Sequence, residues 1–152
     1  MNYSYKQLTA NDLGQMKQLL KLFGQAFNEL STYQDHVPSD AYLKSLLNQS
    51  HFIVVVALDR DTIVGGLAGY ELKKFEQERS EIYIYDLAVS EQHRRQGIAT
   101  RLINYLKKIA QEHQAYVIFV QADKEDLPAI KLYQSLGTQE DVYHFDISPL
   151  SE

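Results

Sequence analysis

The chain has 152 residues, no cysteine, a hydrophobic share of 45% and a formal net charge of −5. This is enough for one hydrophobic core, and it excludes a disulfide framework, a thiolate nucleophile and a cysteine-type zinc site. The acidic balance speaks against a nucleic-acid footprint. Met1 to Lys6 lacks an apolar signal region and no apolar run approaches membrane length, so a cytoplasmic protein is expected.

Tyr3 to Leu8 alternates and reads as a first strand. Thr9 with Asp12 three residues on has the form of a capping box, Asp standing for Glu. The helix that follows sets Leu13, Met16, Leu19, Leu20, Phe23 and Phe27 on one face. Asn28 to Asp35 is polar and reads as a loop. Ser39 is the N-cap of a second helix through Tyr42, Leu43, Leu46 and Leu47.

Phe52 to Leu58 is a short unbroken apolar run, the pattern of a buried strand. Asp59-Arg-Asp61 turns the chain into an antiparallel partner, Ile63 to Leu72. Gly65, Gly66 and Gly69 inside that partner point to a bulge or a close backbone approach. Lys73 to Arg79 is a charged connection, and Glu81 to Val89 is the next strand. It runs into a polar turn and then a helix from near Gly97, with Ile98, Leu102, Tyr105 or Leu106, and Ile109 at helical spacing. The first amides of such a helix have no internal acceptor and its dipole is positive there. With Arg94 and Arg95 beside Gly97, the turn has the makings of a phosphate cradle. It lacks the glycine spacing of a P-loop or a dinucleotide fingerprint.

Ala115 to Gln121 is a further apolar strand, expected to be covered on both faces. Asp126-Leu-Pro-Ala129 opens a last helix, with Asp126 as N-cap, Pro128 in the first turn and Gly137 at the C′ position. Val142 to Ile147 reads as a final strand. The element order is β-α-α-β-β-β-α-β-α-β. It predicts an α/β fold: a mixed, largely antiparallel sheet with helices on both faces. None of the five histidines has metal-ligand spacing, and no metal is expected.

Arg94-Arg-Gln-Gly-Ile-Ala99 and, about thirty residues on, Asp126-Leu-Pro-Ala129…Tyr133…Gly137 resemble the two signature stretches of the GCN5-related N-acetyltransferase (GNAT) superfamily. Asp126 stands where the family's second stretch has Asn. The resemblance covers nearly the whole chain in element order and implies one N-acetyltransferase domain over residues 1–152. Further strings resemble the type I aminoglycoside 3-N-acetyltransferases: Leu22-Phe-Gly24, Lys74-Phe-Glu-Gln77, Arg79 to Val89, His93 to Thr100, Ala115 to Asp123 and His144-Phe-Asp-Ile147. Those enzymes acetylate the 3-amino group of the 2-deoxystreptamine ring, which gives antibiotic resistance.

The resemblance implies acetyl-CoA as co-substrate, its pyrophosphate held by Arg94, Arg95, Gln96, Gly97, Ile98, Ala99 and Thr100. Its pantetheine arm would pair with the backbone of Leu87, Ala88 and Val89, and Asp126 and Ala129 belong to the second signature. Tyr133 takes the family's general-acid position; a phenol at its usual pKa of about 10 matches a thiolate of similar basicity. The amine must lose its proton, and Asp86 and Glu81 are the candidate bases, or water acts. Strict alternation puts Glu81, Tyr83 and Tyr85 on one face and Asp86 on the other, unless a bulge swings Asp86 round. Many family members have Glu where Tyr83 stands, which leaves the base open. Glu29, Asp35, Tyr83, Tyr85, Tyr143 and Asp146 are the candidates for a cleft that holds a polycationic acceptor; at each carboxylate an ordinary surface charge is the alternative.

The partner expected is therefore an aminoglycoside, with no nucleic acid and no membrane, and a homodimer among the assemblies open to the chain. Two other functions compete: N-acetylation of a polyamine, another small amine or a protein amine, and a non-catalytic CoA-binding domain.

Overall fold

The computed structural model describes residues 2–150, which fall into two compact units that divide after Gln121. The first unit carries a five-stranded sheet. Its strands are β1 (Ser4–Gln7), β2 (Phe52–Asp59), β3 (Thr62–Lys73), β4 (Ser80–Val89) and β5 (Ala115–Val120), and they lie in that order across the sheet. The first three pairings are antiparallel, and β4 pairs with β5 in parallel. The parallel step follows from the helix between those strands, α3 (Ile98–Glu112), which returns the chain to the starting edge.

One face of the sheet is covered by α1 (Leu13–Ala26) and α2 (Asp40–Leu47). Met16, Leu19, Leu22 and Phe23 of α1 and Leu43 and Leu47 of α2 pack with Val54, Val56, Ala68 and Ala88 in one cluster. Leu13, Leu20 and Phe27 border that cluster half-buried. The other face is covered by α3, whose Ile98, Leu102, Leu106 and Ile109 are buried. A sheet sandwiched in this way needs apolar residues at consecutive positions, and β2 is buried from Phe52 to Leu58. The fold class read from the sequence holds: a mixed, largely antiparallel sheet with helices on both faces.

The helix starts are made as the caps dictate. Thr9 and Asp12 form the reciprocal capping box, with Asp12 Oδ2 accepting from Thr9 N at 2.8 Å; it heads a short 3₁₀ turn, Ala10–Asp12, that runs into α1. Ser39 Oγ accepts from Tyr42 N at the start of α2. In the second unit, Asp126 Oδ1 accepts from Ala129 N at the start of α4 (Leu127–Leu136).

Four details differ from the sequence reading. The stretch expected as a loop before α2 contains a π-helical turn, Ser31–Asp35, because Tyr33 is drawn against Phe23 and Phe27. Strand β5 is not covered on both faces: Tyr116 and Val117 are exposed, since β5 is the edge of the sheet. Gly137 ends α4 in extended rather than left-handed backbone, with its N–H on the Tyr133 carbonyl at 2.9 Å. Val142 to Ile147 forms no strand, because alternation alone supplies extended backbone and no ladder partner pairs with it among the described residues.

Candidate functional site

The site grows from an irregularity in β4. Along β3, Ala68 pairs with Asp86 and Gly69 with Ile84, so Tyr85 is an extra residue, a bulge. The bulge needs a glycine opposite: a Cβ on Gly69 would stand 2.5 Å from the Tyr83 carbonyl oxygen. The consequence is a change of face. Tyr83 pairs with Tyr70, and Asp86 with Ala68, two residues apart on β3 and hence on one side of the sheet. Strict alternation would have separated Tyr83 from Asp86; the bulge puts both on the α1 face.

Beyond the bulge β4 also parts from β5. The last rung of the β4–β5 ladder is Ile84 with Val120, whereas on the β3 side pairing continues to Val89 with Gly65. Asp86 to Val89 therefore present backbone with no β5 partner on that side. Leu87 and Val89 are half-buried and Ala88 is buried in the α1 cluster.

The chain then enters the turn before α3. Ser90 N bonds the Val64 carbonyl at 2.8 Å, and Arg94 Nε donates to the Val89 carbonyl at 3.2 Å. Tyr3 Oη donates to Gln96 Oε1 at 2.7 Å and lies 2.9 Å from His93 Nδ1, which ties the turn to the start of the sheet. Arg95 has φ of 61° and Gly97 φ of 79°, both left-handed. A Cβ at Gly97 would meet nothing within 4 Å, so the glycine serves the backbone angle and keeps the space before the helix clear. The first internal bond of α3 is Arg101 N to the Gly97 carbonyl, 3.1 Å. No side chain caps α3, unlike α2 and α4. The amides of Ile98, Ala99 and Thr100 thus come before any internal bond, at the positive end of a fifteen-residue helix. These residues fit a pyrophosphate: bare amides, two arginines and a glycine where a side chain would intrude.

The two candidate bases are in different surroundings. Asp86 Oδ2 accepts from Tyr33 Oη at 2.8 Å. Burial and the nearby Glu29 carboxylate push its pKa up, the Tyr33 hydrogen bond opposes them, and the net direction is upward. Glu81 lies five residues back on the strand, roughly 15 Å away. It accepts from Tyr116 Oη at 2.6 Å and sits 3.5 Å from Lys74 Nζ, contacts that hold its carboxyl below the usual range against its slight burial. Arg79 stacks on the Tyr116 ring, 3.7 Å from its centroid. Glu81 is thus held within a surface ion-pair cluster.

An aromatic surface runs from β3 to β5 on the face of Asp86. Tyr83 stacks on Phe119 and meets Tyr85 edge-on, and Tyr85 meets Tyr70. Tyr83 Oη donates to Gln121 Oε1 at 3.1 Å. Glu29, just before the π-turn, and Asp35, its last residue, are exposed.

In the second unit, burial and the Asp126 carboxylate raise the Tyr133 phenol to about 12. The Asp126 carboxylate is spent on the α4 cap through Ala129 N. Tyr143 and Asp146 are exposed, and Asp146 Oδ1 lies 2.8 Å from His144 Nε2. Tyr3, Tyr33, Phe119 and Gln121 are site contacts that sequence reading missed. Only Tyr33 had a local signal, an aromatic side chain within a polar stretch.

The model of the acetyltransferase (GNAT) family matches residues 16–138, from within α1 to just past α4. The chain belongs to the acetyltransferase (GNAT) family. Among solved structures it is similar to an aminoglycoside acetyltransferase from an uncultured soil metagenomic sample, with 56% identity and a TM-score of 0.96 over 99% of this chain and 100% of that one. It is also similar to a second soil metagenomic aminoglycoside acetyltransferase, solved in complex with sisomicin. There the identity is 37% and the TM-score 0.89, over 96% of this chain and 95% of that one. Among curated proteins it is 31% identical to N-acetyltransferase family 8 member 2 of Rattus norvegicus over 67% of this chain and 45% of that protein. The chain spans about half the length of the curated relatives it matches. No helix among the described residues is long and apolar enough to cross a membrane.

Proposed function

We propose that this GNAT protein transfers the acetyl group of acetyl-CoA to an aminoglycoside, at the 3-amino group of the 2-deoxystreptamine ring. The observation that carries the reading is the placement of Asp86: a half-buried carboxylate turned by the Tyr85 bulge onto a tyrosine-lined face, beside strand backbone that has no β5 partner. The identity to the soil aminoglycoside acetyltransferases supports the substrate class.

Acetyl-CoA would be held at two places. The amides of Gln96 to Thr100, with Arg94 and Arg95 near them, would bind its pyrophosphate, and the backbone of Leu87 to Val89 its extended arm. Bound there it supplies an activated acyl carbon. Asp86 takes a proton from the acceptor ammonium, directly or through water, and so frees the lone pair that forms the amide bond. A carboxylate with a raised pKa is the better proton acceptor for this task. By the family resemblance Tyr133 would give its Oη proton to the departing sulfur. Its raised pKa keeps that proton in place at neutral pH, but lifts the phenol above the value of about 10 at which it would match a thiolate, so the transfer is less favourable than at the ordinary value.

The acceptor would lie against Tyr83 and Tyr85, with Glu29, Asp35, Tyr143 and Asp146 as further contacts for its ammonium groups. Acetylation removes one of those charges, and antibiotic resistance follows where the drug's target reads it. A cytoplasmic setting and a single catalytic domain go with this reading.

The test is product analysis by mass spectrometry and NMR after incubation with gentamicin and acetyl-CoA, with Asp86→Asn as control. One acetyl on the 3-amino group, lost in Asp86→Asn, is the expected result. Acetylation of another ring amine would refute the position alone. No mass gain, with ready acetylation of spermidine or a peptide, would refute the substrate class.

A further inference from the structure

We propose that Tyr33 is a positioning residue for Asp86, its hydroxyl orienting the carboxylate and keeping it ionised for the amine. The inference rests on the reading that Asp86 is the base.

Tyr33 sits in the π-turn Ser31–Asp35, a geometry that is rare and recurs at functional sites. The turn is anchored by its own backbone: Glu29 N bonds the Gly24 carbonyl at 2.9 Å, and the Glu29 carbonyl accepts from Thr32 N and Tyr33 N at 3.1 and 3.2 Å. The ring lies against Phe23 and Phe27, with centroids 6.2 and 6.0 Å away. The glycine in α1 gives this packing its room: a Cβ on Gly24 would stand 3.0 Å from Tyr33 Cβ, and the ring would have to give by a few tenths of an ångström. A ring fixed on two sides can aim its hydroxyl, and the hydroxyl reaches Asp86 Oδ2 across 53 residues of sequence.

The bond divides the labour between the two carboxylate oxygens. Oδ2 accepts from Tyr33, while among the described residues Oδ1 accepts no hydrogen bond and is left for the amine. The groups that face Asp86 are Tyr33 and Glu29 from the segment after α1, Tyr70 from β3 and Tyr83 from β4. Glu29 and burial both favour the protonated acid, and Tyr33 opposes them by donating to the carboxylate. Burial and the Asp86 charge raise the Tyr33 phenol well above its ordinary value, so it stays a donor at every working pH.

Tyr33→Phe keeps the ring and removes the donor. Two measurements are compared with the wild type: the acid limb of kcat/KM against pH with gentamicin, and the Asp86 carboxyl titration followed by carbon-13 NMR. Both are expected to move up by about one pH unit, the worth of one hydrogen bond to a charged group. Tyr33→Leu should lower the melting temperature as well, and Tyr33→Phe should leave it within a few degrees. An unmoved NMR titration overturns the role of Tyr33, whatever the rate does. A moved titration with an unmoved rate limb overturns the catalytic consequence. Asp86→Asn with wild-type turnover shows that the base reading itself failed, and the NMR result then stands apart from it.

Discussion

Tyr83 of β4 lies flat on Phe119 of β5, with ring centroids 4.7 Å apart and planes 3° from parallel. The two residues are partners in the parallel ladder, one rung short of its last. Where the strands separate, the aromatic surface continues onto Tyr85, which is 64% exposed. An ammonium group set over an exposed tyrosine gains about 0.5–1 kcal/mol, more once water is excluded. Tyr85→Leu is therefore expected to raise KM for gentamicin about three- to tenfold with little change in kcat, because it removes binding common to ground and transition states. An equal loss in kcat alone would place Tyr85 in the chemical step instead.

The uncapped start of α3 gives the second expectation. Gly97→Glu should abolish CoA binding by calorimetry, since a carboxylate would occupy the space proposed for the pyrophosphate and φ of 79° strains any other residue. Gly97→Ala tests the strain alone: about 1 kcal/mol of lost stability, with weakened but measurable binding. CoA affinity at the wild-type level in Gly97→Glu would remove the pyrophosphate from this turn.

For Tyr133, the phenol raised to about 12 predicts a protonated acid throughout the neutral range. The kcat profile should then show no alkaline limb from this group below about pH 11. Tyr133→Phe should fold, keep CoA binding and lose turnover by a factor on the order of 10²–10⁴. Unchanged turnover would make Tyr133 structural.

Much of this was readable in the chain. The capping pairs Thr9 with Asp12, Ser39 with Tyr42 N, and Asp126 with Ala129 N are local chemistry, and local chemistry appears in sequence. So is the α3 face of Ile98, Leu102, Leu106 and Ile109. The face occupied by Asp86 was not readable, because it is decided by which β3 residue stands opposite. Three glycines in β3 gave notice of an irregularity, and only the register shows that Gly69 is the one that admits the Tyr83 carbonyl. The partner of Tyr33 was hidden for the same reason: an aromatic ring stands out in a polar stretch, but nothing local announces a hydrogen bond 53 residues away. Val142 to Ile147 shows the converse error, since alternation is necessary for a half-buried strand and does not make one.

Away from the site, Glu71 is buried at the far end of β3. It accepts from Ser80 Oγ at 2.6 Å and lies 2.9 Å from His113 Nδ1. Burial raises its pKa, but the Ser80 and His113 contacts outweigh it and the net direction is down. A carboxyl depressed in the folded state stabilises above its unfolded pKa of about 4.3, and that stability is lost as pH falls through the folded value. Glu71→Gln is expected to cost about 1–3 kcal/mol in urea unfolding at pH 7. The difference should shrink below about pH 4, where the wild-type carboxyl also takes a proton. A gap that stays constant with pH would mean that the loss is steric.

The last expectation concerns the carboxylates that would receive a polycation. Glu29 faces Asp86 and raises its pKa. Glu29→Gln removes a like charge, so the acid limb of kcat/KM should move to lower pH, opposite in sign to Tyr33→Phe. Asp146 is 94% exposed, and an exposed pair contributes under about 1 kcal/mol. Asp146→Asn should therefore raise KM only about two- to fivefold, with kcat nearly unchanged. Salt separates the two effects. Screening shortens from about 10 Å at 0.1 M to about 3 Å at 1 M, so KM of the wild type should rise with ionic strength. The double variant Glu29→Gln with Asp146→Asn should show a flatter rise. A salt dependence identical to the wild type would mean that the acceptor's charge is met elsewhere, while the opposed pH shift would still identify Glu29 as the group that tunes Asp86.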